Sequence, residues 1–209
     1  MLDFTNSNIV ITGGHGALGS AVVEYFTQAG ARCHVPKNID CANENQVTQF
    51  FADLPPIQAS VHLVGGFAMS PLLQTSAADF DAMYRVNALT AFLCCREAVR
   101  KFGKSGGRIV NVASKVAAQP VGGMLAYSAA KSAVAALTQG LAEEVKSQGI
   151  LVNAVLPSIM DTPQNRAAMP KADFSRWPKV SDVAQTIGFL CHAKNTLTSG
   201  ALVPVYGQS

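Results

Sequence analysis

Charge is scarce in this chain: Asp, Glu, Lys and Arg make up 14% of its 209 residues and leave a formal net charge of only +3. The basic residues are scattered and form no patch interleaved with aromatics, so neither nucleic acid nor a membrane surface has electrostatic support as a partner. No apolar run reaches about 18 residues, so no transmembrane helix is expected. The opening stretch, Met1 to Thr12, lacks a basic region followed by an apolar one, and a cytoplasmic location is the expectation. The five cysteines (Cys33, Cys41, Cys94, Cys95 and Cys191) are odd in number and show no C-x-x-C spacing, against both a disulfide framework and a zinc site. His15, His34, His62 and His192 have no H-E-x-x-H or comparable ligand spacing, so no metal is expected. A serine hydrolase fails for want of a G-x-S-x-G elbow. No repeat, low-complexity tract or linker divides the chain, and its length with 49% hydrophobic content suits one domain spanning residues 1–209.

What is present is an alternation of strand and helix. The apolar run Asn8–Thr12 leads into Gly13-Gly-His-Gly-Ala-Leu-Gly19 and then a helix, Ala21 to Ala29. Glycines let a backbone bend tightly and approach a pyrophosphate, while the free N–H groups and dipole of a helix start favour its negative charge. Gly13, His15, Gly16, Ala17, Leu18 and Gly19 are therefore candidate cofactor contacts. A second strand, Ala31–Val35, is broken by Pro36, and a short third segment holds Ile39 and Asp40. No room is left between them for a crossover helix, which takes about a dozen residues or more. A short helix (45–53) precedes the strand Ser60–Gly66, whose closing glycines, Gly65 and Gly66, allow close approach to the backbone. Apolar residues at helical spacing, among them Met83, Val86, Leu89, Phe92, Leu93 and Val99, predict one long helix from Phe80 to Phe102. The strand Arg108–Ala113, a helix from Tyr127 to about Lys146 and the strand Ile150–Leu156 follow. The proline-interrupted stretch 158–178 has the length of a lid or binding loop. A helix capped by Ser181 and a strand at 201–206 complete a pattern that implies a doubly wound α/β parallel sheet.

Chemistry concentrates between Ser114 and Lys131. Tyr127 and Lys131 share a helix face one turn apart. A phenol of pKa about 10 is a poor proton shuttle at neutral pH unless a nearby cation stabilises its phenolate. Lys131 can supply that charge, and Ser114, at the carboxyl end of a buried strand, would project into the same place. Alone the pair is a weak signal, because Tyr-x-x-x-Lys arises by chance on many helices. Asn87, in the middle of a helix, has an equally ordinary alternative as a solvent-facing or locally bonded side chain.

Taken together and in order, the glycine turn, Asn87, Ser114, Tyr127 and Lys131 resemble the short-chain dehydrogenase/reductase family over nearly the whole chain. The resemblance implies a Rossmann-type fold, NADP(H) or NAD(H) as cofactor, a small-molecule substrate and a homodimer or homotetramer paired through helices at 80–102 and 127–146. It casts Tyr127 as general acid in reduction, Lys131 as the group that lowers its pKa and holds the ribose, Ser114 as the orienter of the substrate oxygen, and Asn87 as support for a proton relay. Asp40 falls where the family places an Asp near the adenine, and Asn153-Ala-Val-Leu-Pro157 through Thr162 resembles the segment contacting nicotinamide, with Ser158 where Gly is usual. The family's Asn-Asn-Ala-Gly is replaced by Leu63-Val-Gly-Gly66, so the bonds that usually steady the sheet there must come from elsewhere.

Within the family the dihydropteridine reductase branch is the most similar. The similarity rests on Gly16-Ala-Leu-Gly19, on Val64-Gly-Gly-Phe67, and above all on Asp161-Thr-Pro-x-Asn-Arg-x-x-Met-Pro-x-Ala-Asp-Phe-Ser-x-Trp177. Two departures stand out: that branch lacks the serine present here as Ser114, and it carries an acidic residue where this chain has Lys37. An acidic group there bonds the ribose hydroxyls of NAD, whereas a cation accommodates the phosphate of NADP. Lys37, with His15 or Asn38, therefore points to NADPH. Phe67, Met69, Gln119, Met124, Asn165, Arg166, Met169, Phe174 and Trp177 are the expected substrate contacts, although Phe174 and Trp177 could equally pin the loop to the core. A general carbonyl or 3-oxoacyl-type reductase is one alternative. A dinucleotide-binding sensor without catalysis is another, favoured by the missing helix near the adenine and opposed by the intact set of four.

Overall fold

In the computed structural model, which describes residues 2–209, strand β1 (Asn8–Thr12) is buried from Ile9 onward. Burial on both faces marks a strand covered by helices on each side. Its side chains alternate accordingly: Ile9 and Ile11 join one core with Val22, Phe26, Val183 and Ile187, and Val10 joins a second with Val47, Phe51, Leu93 and Ile109. The first core lies under helices α1 (Ala17–Gln28) and α8 (Val180–Cys191). The second lies under α2 (Glu44–Ala52), α4 (Thr90–Phe102) and α6 (Leu125–Val145).

The six strands are β1, β2 (Arg32–His34), β3 (Ala59–His62), β4 (Gly107–Val112), β5 (Ile150–Pro157) and β6 (Leu202–Val205), all parallel in the order β2-β1-β3-β4-β5-β6. The expected doubly wound sheet is therefore present. The direction of strand succession reverses between β1 and β3, and in such sheets ligands bind beyond the carboxyl ends at that reversal. Among the described residues no helix is long and apolar enough to cross a membrane.

Several boundaries differ from expectation. Helix α1 begins at Ala17, four residues early, because Gly16 serves as its extended N-cap (φ −73°, ψ 170°). Ile39 and Asp40 form no strand: Asn38 turns the backbone into the left-handed region (φ 56°), and the Asp40 carboxylate accepts the Ala42 N–H at 2.8 Å. The sheet thus ends at β2, and the chain runs straight into α2. Strand β3 stops at His62, and beyond the Leu63 N–H, which still bonds Thr12 O at 3.0 Å, Val64–Gly66 leave the sheet. The long helix is α3 (Ala77–Tyr84) and α4 joined by a π-turn, Arg85–Leu89. Within it Asn87 Nδ2 donates to Met83 O at 3.0 Å and Thr90 Oγ1 donates to Val86 O at 2.8 Å. Single π-turns of this kind gather at functional sites. Helix α8 starts at Val180, so Ser181 lies inside it and is not the cap. The stretch after β5 is less irregular than expected, with α7 (Pro163–Ala168) capped by Thr162 and a 3-10 turn at Phe174–Arg176.

Candidate active site

Two glycines of the first turn are dictated by space. Gly13 adopts φ 72°, and a Cβ there would lie 2.8 Å from the Leu63 carbonyl carbon; a Cβ on Gly19 would lie 2.1 Å from Gly13 O. Gly16 differs, since a Cβ on it would meet nothing nearer than 3.5 Å. The first turn of α1 also has no side-chain cap, unlike α2, where Asn43 accepts the Gln46 N–H, or α3, which has a capping box at Ser76 and Asp79. Uncapped amides at the start of a twelve-residue helix, reached past glycine, fit the pyrophosphate of a dinucleotide. Ala17 lies at this turn's exposed surface with His15, whereas Leu18 is buried in the core. Lys37 is exposed just beyond β2, and Asp40 pairs with Arg85 at 3.0 Å, both side chains half exposed.

Asn87, Gly65, Gly66 and Lys131 meet at the end of β3. Asn87 is 1% exposed; its Oδ1 accepts the Gly66 N–H at 3.2 Å and its Nδ2 donates to Gly66 O at 3.0 Å. A Cβ on Gly65 would stand 2.8 Å from Asn87 Oδ1 and 3.2 Å from Lys131 Nζ. Lys131 is buried and donates to Val112 O at 2.9 Å, beneath the β4 end that carries Ser114. Burial with no paired anion pushes its pKa down to about 8. Its ammonium is 6.0 Å from the centroid of the Tyr127 ring. The Tyr127 pKa is raised, chiefly by burial, with the Ser114 hydroxyl acting in the opposite sense. The four expected residues are thus brought together, with one difference: the phenol is not lowered as expected, because burial outweighs the Ser114 hydroxyl.

The rim is apolar. Phe67 stands edge-on to Tyr127, centroids 5.1 Å apart at 84°, and is 62% exposed. Met69 follows it, and Ser70 pairs with Met124 while its N–H bonds Gly123 O at 2.8 Å, so this loop leans on the one before α6. Gln119 lies exposed at the end of the short helix α5 (Lys115–Ala118). The later loop is tied to itself. Arg166 grips Asp161 through two bonds of 2.6 and 2.8 Å and lies over Phe174 at 4.8 Å, while Asn165 donates to Met160 O at 2.8 Å. Trp177 is 7% exposed and packs on Phe174, centroids 4.9 Å apart, so it anchors the loop. Pro157 and Thr162 are buried at the end of β5, where Ser158 Oγ donates to Tyr206 O at 2.8 Å.

A buried polar cluster beneath the site had no signal in the sequence beyond its residue types. His62 bonds Ser60 and Asn111, each at 2.8 Å, and Asn111 donates to Thr138 on α6 at 3.0 Å. Burial lowers the His62 pKa to about 4, against a smaller upward effect of Asn111. Because the folded value lies below the ordinary one near 6.5, the unfolded chain binds the extra proton between them. The stability this represents is full above about pH 6.5 and is lost as pH falls toward 4, on the order of 3 kcal/mol. Urea midpoints at pH 7 and pH 4.5 check this: the drop should be markedly smaller in His62→Gln, and an equal drop in both proteins would contradict it.

Comparison with known proteins gives the family. The family model described as short chain dehydrogenase matches residues 36–173. A short-chain type dehydrogenase/reductase of Picea abies is 33% identical over 194 residues, covering 85% of this chain and 71% of the relative. The chain belongs to the short-chain dehydrogenase family. As a member of it, the protein is an NAD(P)-dependent oxidoreductase. A 3-oxoacyl-[acyl-carrier-protein] reductase of Rickettsia typhi is 25% identical over 236 residues, covering 99% of this chain and 98% of the relative. The structure of ElxO with NADP bound shares the fold, with a TM-score of 0.89 at 24% identity over 96% of this chain and 97% of that one. None of these names carries a pteridine activity.

Proposed function

We propose that this family member is an NADPH-dependent reductase that transfers hydride to a small conjugated acceptor, a quinonoid dihydropteridine being the first candidate. The observation that carries the acceptor class is the exposed Phe67 ring set edge-on against Tyr127, which gives a planar heterocycle an apolar face beside a proton donor. The likeness of Asp161 to Trp177 to the dihydropteridine reductases supports the same choice. The nicotinamide cofactor supplies the hydride when bound. The chain's own residues do the rest. The uncapped start of α1 and Gly16 hold the pyrophosphate, Lys37 and His15 face the adenosine phosphate, and Asp40 lies on the adenine side. Lys131 and Asn87 hold the ribose end near Gly65 and Gly66, with Pro157 and Thr162 beside the nicotinamide. Tyr127 delivers the proton, and Ser114 orients the reacting oxygen only where the acceptor is a carbonyl. Phe67, Met69, Gln119 and Met124 border the acceptor. The loop at 158–178 closes it through Asn165, Arg166, Met169 and Phe174, with Trp177 as anchor. A homodimer or homotetramer through α4 and α6 completes the proposal; Phe92, 47% exposed on α4, supports it.

A second reading, a general carbonyl or 3-oxoacyl-type reductase, is favoured by one observation. Ser114 is present, half-buried just beyond the carboxyl end of β4, where its hydroxyl can donate to a carbonyl oxygen beside Tyr127. Ser114→Ala separates the two. Loss of about 10²-fold or more in turnover on carbonyl acceptors is expected where that hydroxyl donates to the reacting oxygen. Near-normal turnover of the same variant on a quinonoid dihydropteridine supports the first reading, and a matching loss on both acceptors supports the second.

A further inference from the structure

We propose that His62 is a positioning residue for the reaction, acting at the centre of a directed hydrogen-bond chain that sets helix α6 against strands β3 and β4. The proposal rests on the roles given above to Tyr127 and Lys131.

The direction of every bond follows from one end. Thr138 Oγ1 donates to Val134 O at 2.8 Å, so it must accept from Asn111 Nδ2 at 3.0 Å. Asn111 Oδ1 then faces His62 Nδ1 at 2.8 Å and has only lone pairs to offer, which places the imidazole proton on Nδ1. His62 Nε2 is left as acceptor for the Ser60 hydroxyl at 2.8 Å. All four residues are buried, with Ser60, Asn111 and Thr138 at 0% exposure and His62 at 3%, and each polar group has its partner. A fully satisfied network in a low-dielectric interior holds its geometry tightly, whereas an interrupted one leaves costly orphans.

Its placement gives the chain a consequence for the site. His62 and Asn111 are register partners across β3 and β4, the last pair before β3 ends and the backbone turns to Gly65 and Gly66. Thr138 stands two helical turns beyond Lys131 on the same face of α6, about 10 Å along the axis. Lys131 bonds Val112 O, next to Asn111 on β4. Helix α6 is therefore pinned to β4 at two heights, which fixes both its rotation and its axial position, and with them the depth of Tyr127 over Ser114. Cys95 of α4 also touches the hub, its sulfur 3.4 Å from Asn111 Oδ1 and 3.5 Å from His62 Nδ1. One network thus joins the four elements that present Gly65 and Gly66, Asn87, Ser114, and the Tyr127–Lys131 pair. No atom of His62 touches the reacting groups, so it acts through α6 and β4.

The test is His62→Leu, which keeps an apolar side chain of similar bulk and breaks the chain at its hub. Turnover well below the melting temperature should fall about tenfold or more, with cofactor Kd changed less than about twofold, since a misplaced donor costs the chemical step more than ground-state binding. Hydrogen exchange of peptides covering 125–138 should accelerate while those of α1 and α8 stay as in wild type. His62→Gln, which keeps one donor and one acceptor, should recover part of both. If His62→Leu does not fold, Thr138→Val removes the last link at the α6 end and should give the same pattern. A lowered melting temperature with unchanged turnover, or faster exchange spread evenly over all helices, overturns the proposal and leaves His62 a packing residue. Absence of turnover in the wild-type protein would sink the proposed function instead, and the exchange pattern, which needs no turnover, would still decide the role of His62.

Discussion

Tyr127→Phe should lose about 10²–10⁴-fold in turnover, the usual worth of a positioned proton donor, while binding NADPH with little change. The variant keeps the ring, and with it the edge-on contact to Phe67 and the packing over Lys131, so the loss isolates the hydroxyl. Burial raises the phenol's pKa, so Tyr127 is protonated across the neutral range. Lys131 behaves in the opposite way. Its depressed value of about 8 means that the free protein carries the buried ammonium below that pH and loses it above. Reductive kcat/KM should therefore decline above about pH 8, even though Tyr127 itself is still protonated. Pre-steady-state hydride transfer and cofactor titration on the same preparations check both statements. Tyr127→Phe with wild-type turnover would remove Tyr127 from the mechanism.

Lys37→Glu should reverse the nucleotide preference. A charge-assisted bond to a phosphate is worth about 1.5–3 kcal/mol, so its removal raises the KM for NADPH by roughly 10–10²-fold. The introduced carboxylate repels the phosphate further while offering NADH an acceptor for its ribose hydroxyls. Because Lys37 is exposed and the backbone at Asn38 is already turned, the fold should tolerate the change. KM values for both nucleotides, measured against one acceptor, decide it. An unchanged NADPH preference would place the phosphate elsewhere.

Much of this architecture was legible in the sequence because the signals are local. The glycine turn, the buried runs around Val10, Ile109 and Val152, and the helical spacing after Tyr127 each report on residues that are neighbours in the chain. Misplaced boundaries arose where the deciding contact is distant or subtle. Helix α1 starts early because Gly16 can adopt an extended cap, and the helix through Asn87 widens into a π-turn because its side chain is committed to Gly66, 21 residues away. The absence of a strand at Ile39 follows from the left-handed turn at Asn38, which no periodicity reports. The loop illustrates the same limit. Trp177 is buried and packs on Phe174 within the loop, and whether a side chain lines a pocket or pins a loop depends on packing that composition does not encode. His62 was visible only as a histidine without ligand spacing; its partner Asn111 lies 49 residues on and meets it through strand register alone.

The function proposed for this chain is the oxidation of NADPH with a quinonoid dihydropteridine as acceptor. Its most direct test is the rate of NADPH and of NADH consumption by the purified protein with that acceptor, against a background without enzyme, since such acceptors can react unaided. A rapid enzyme-dependent rate, faster with NADPH than with NADH, is expected. No rate above background with either nucleotide would contradict it, even if carbonyl acceptors were reduced.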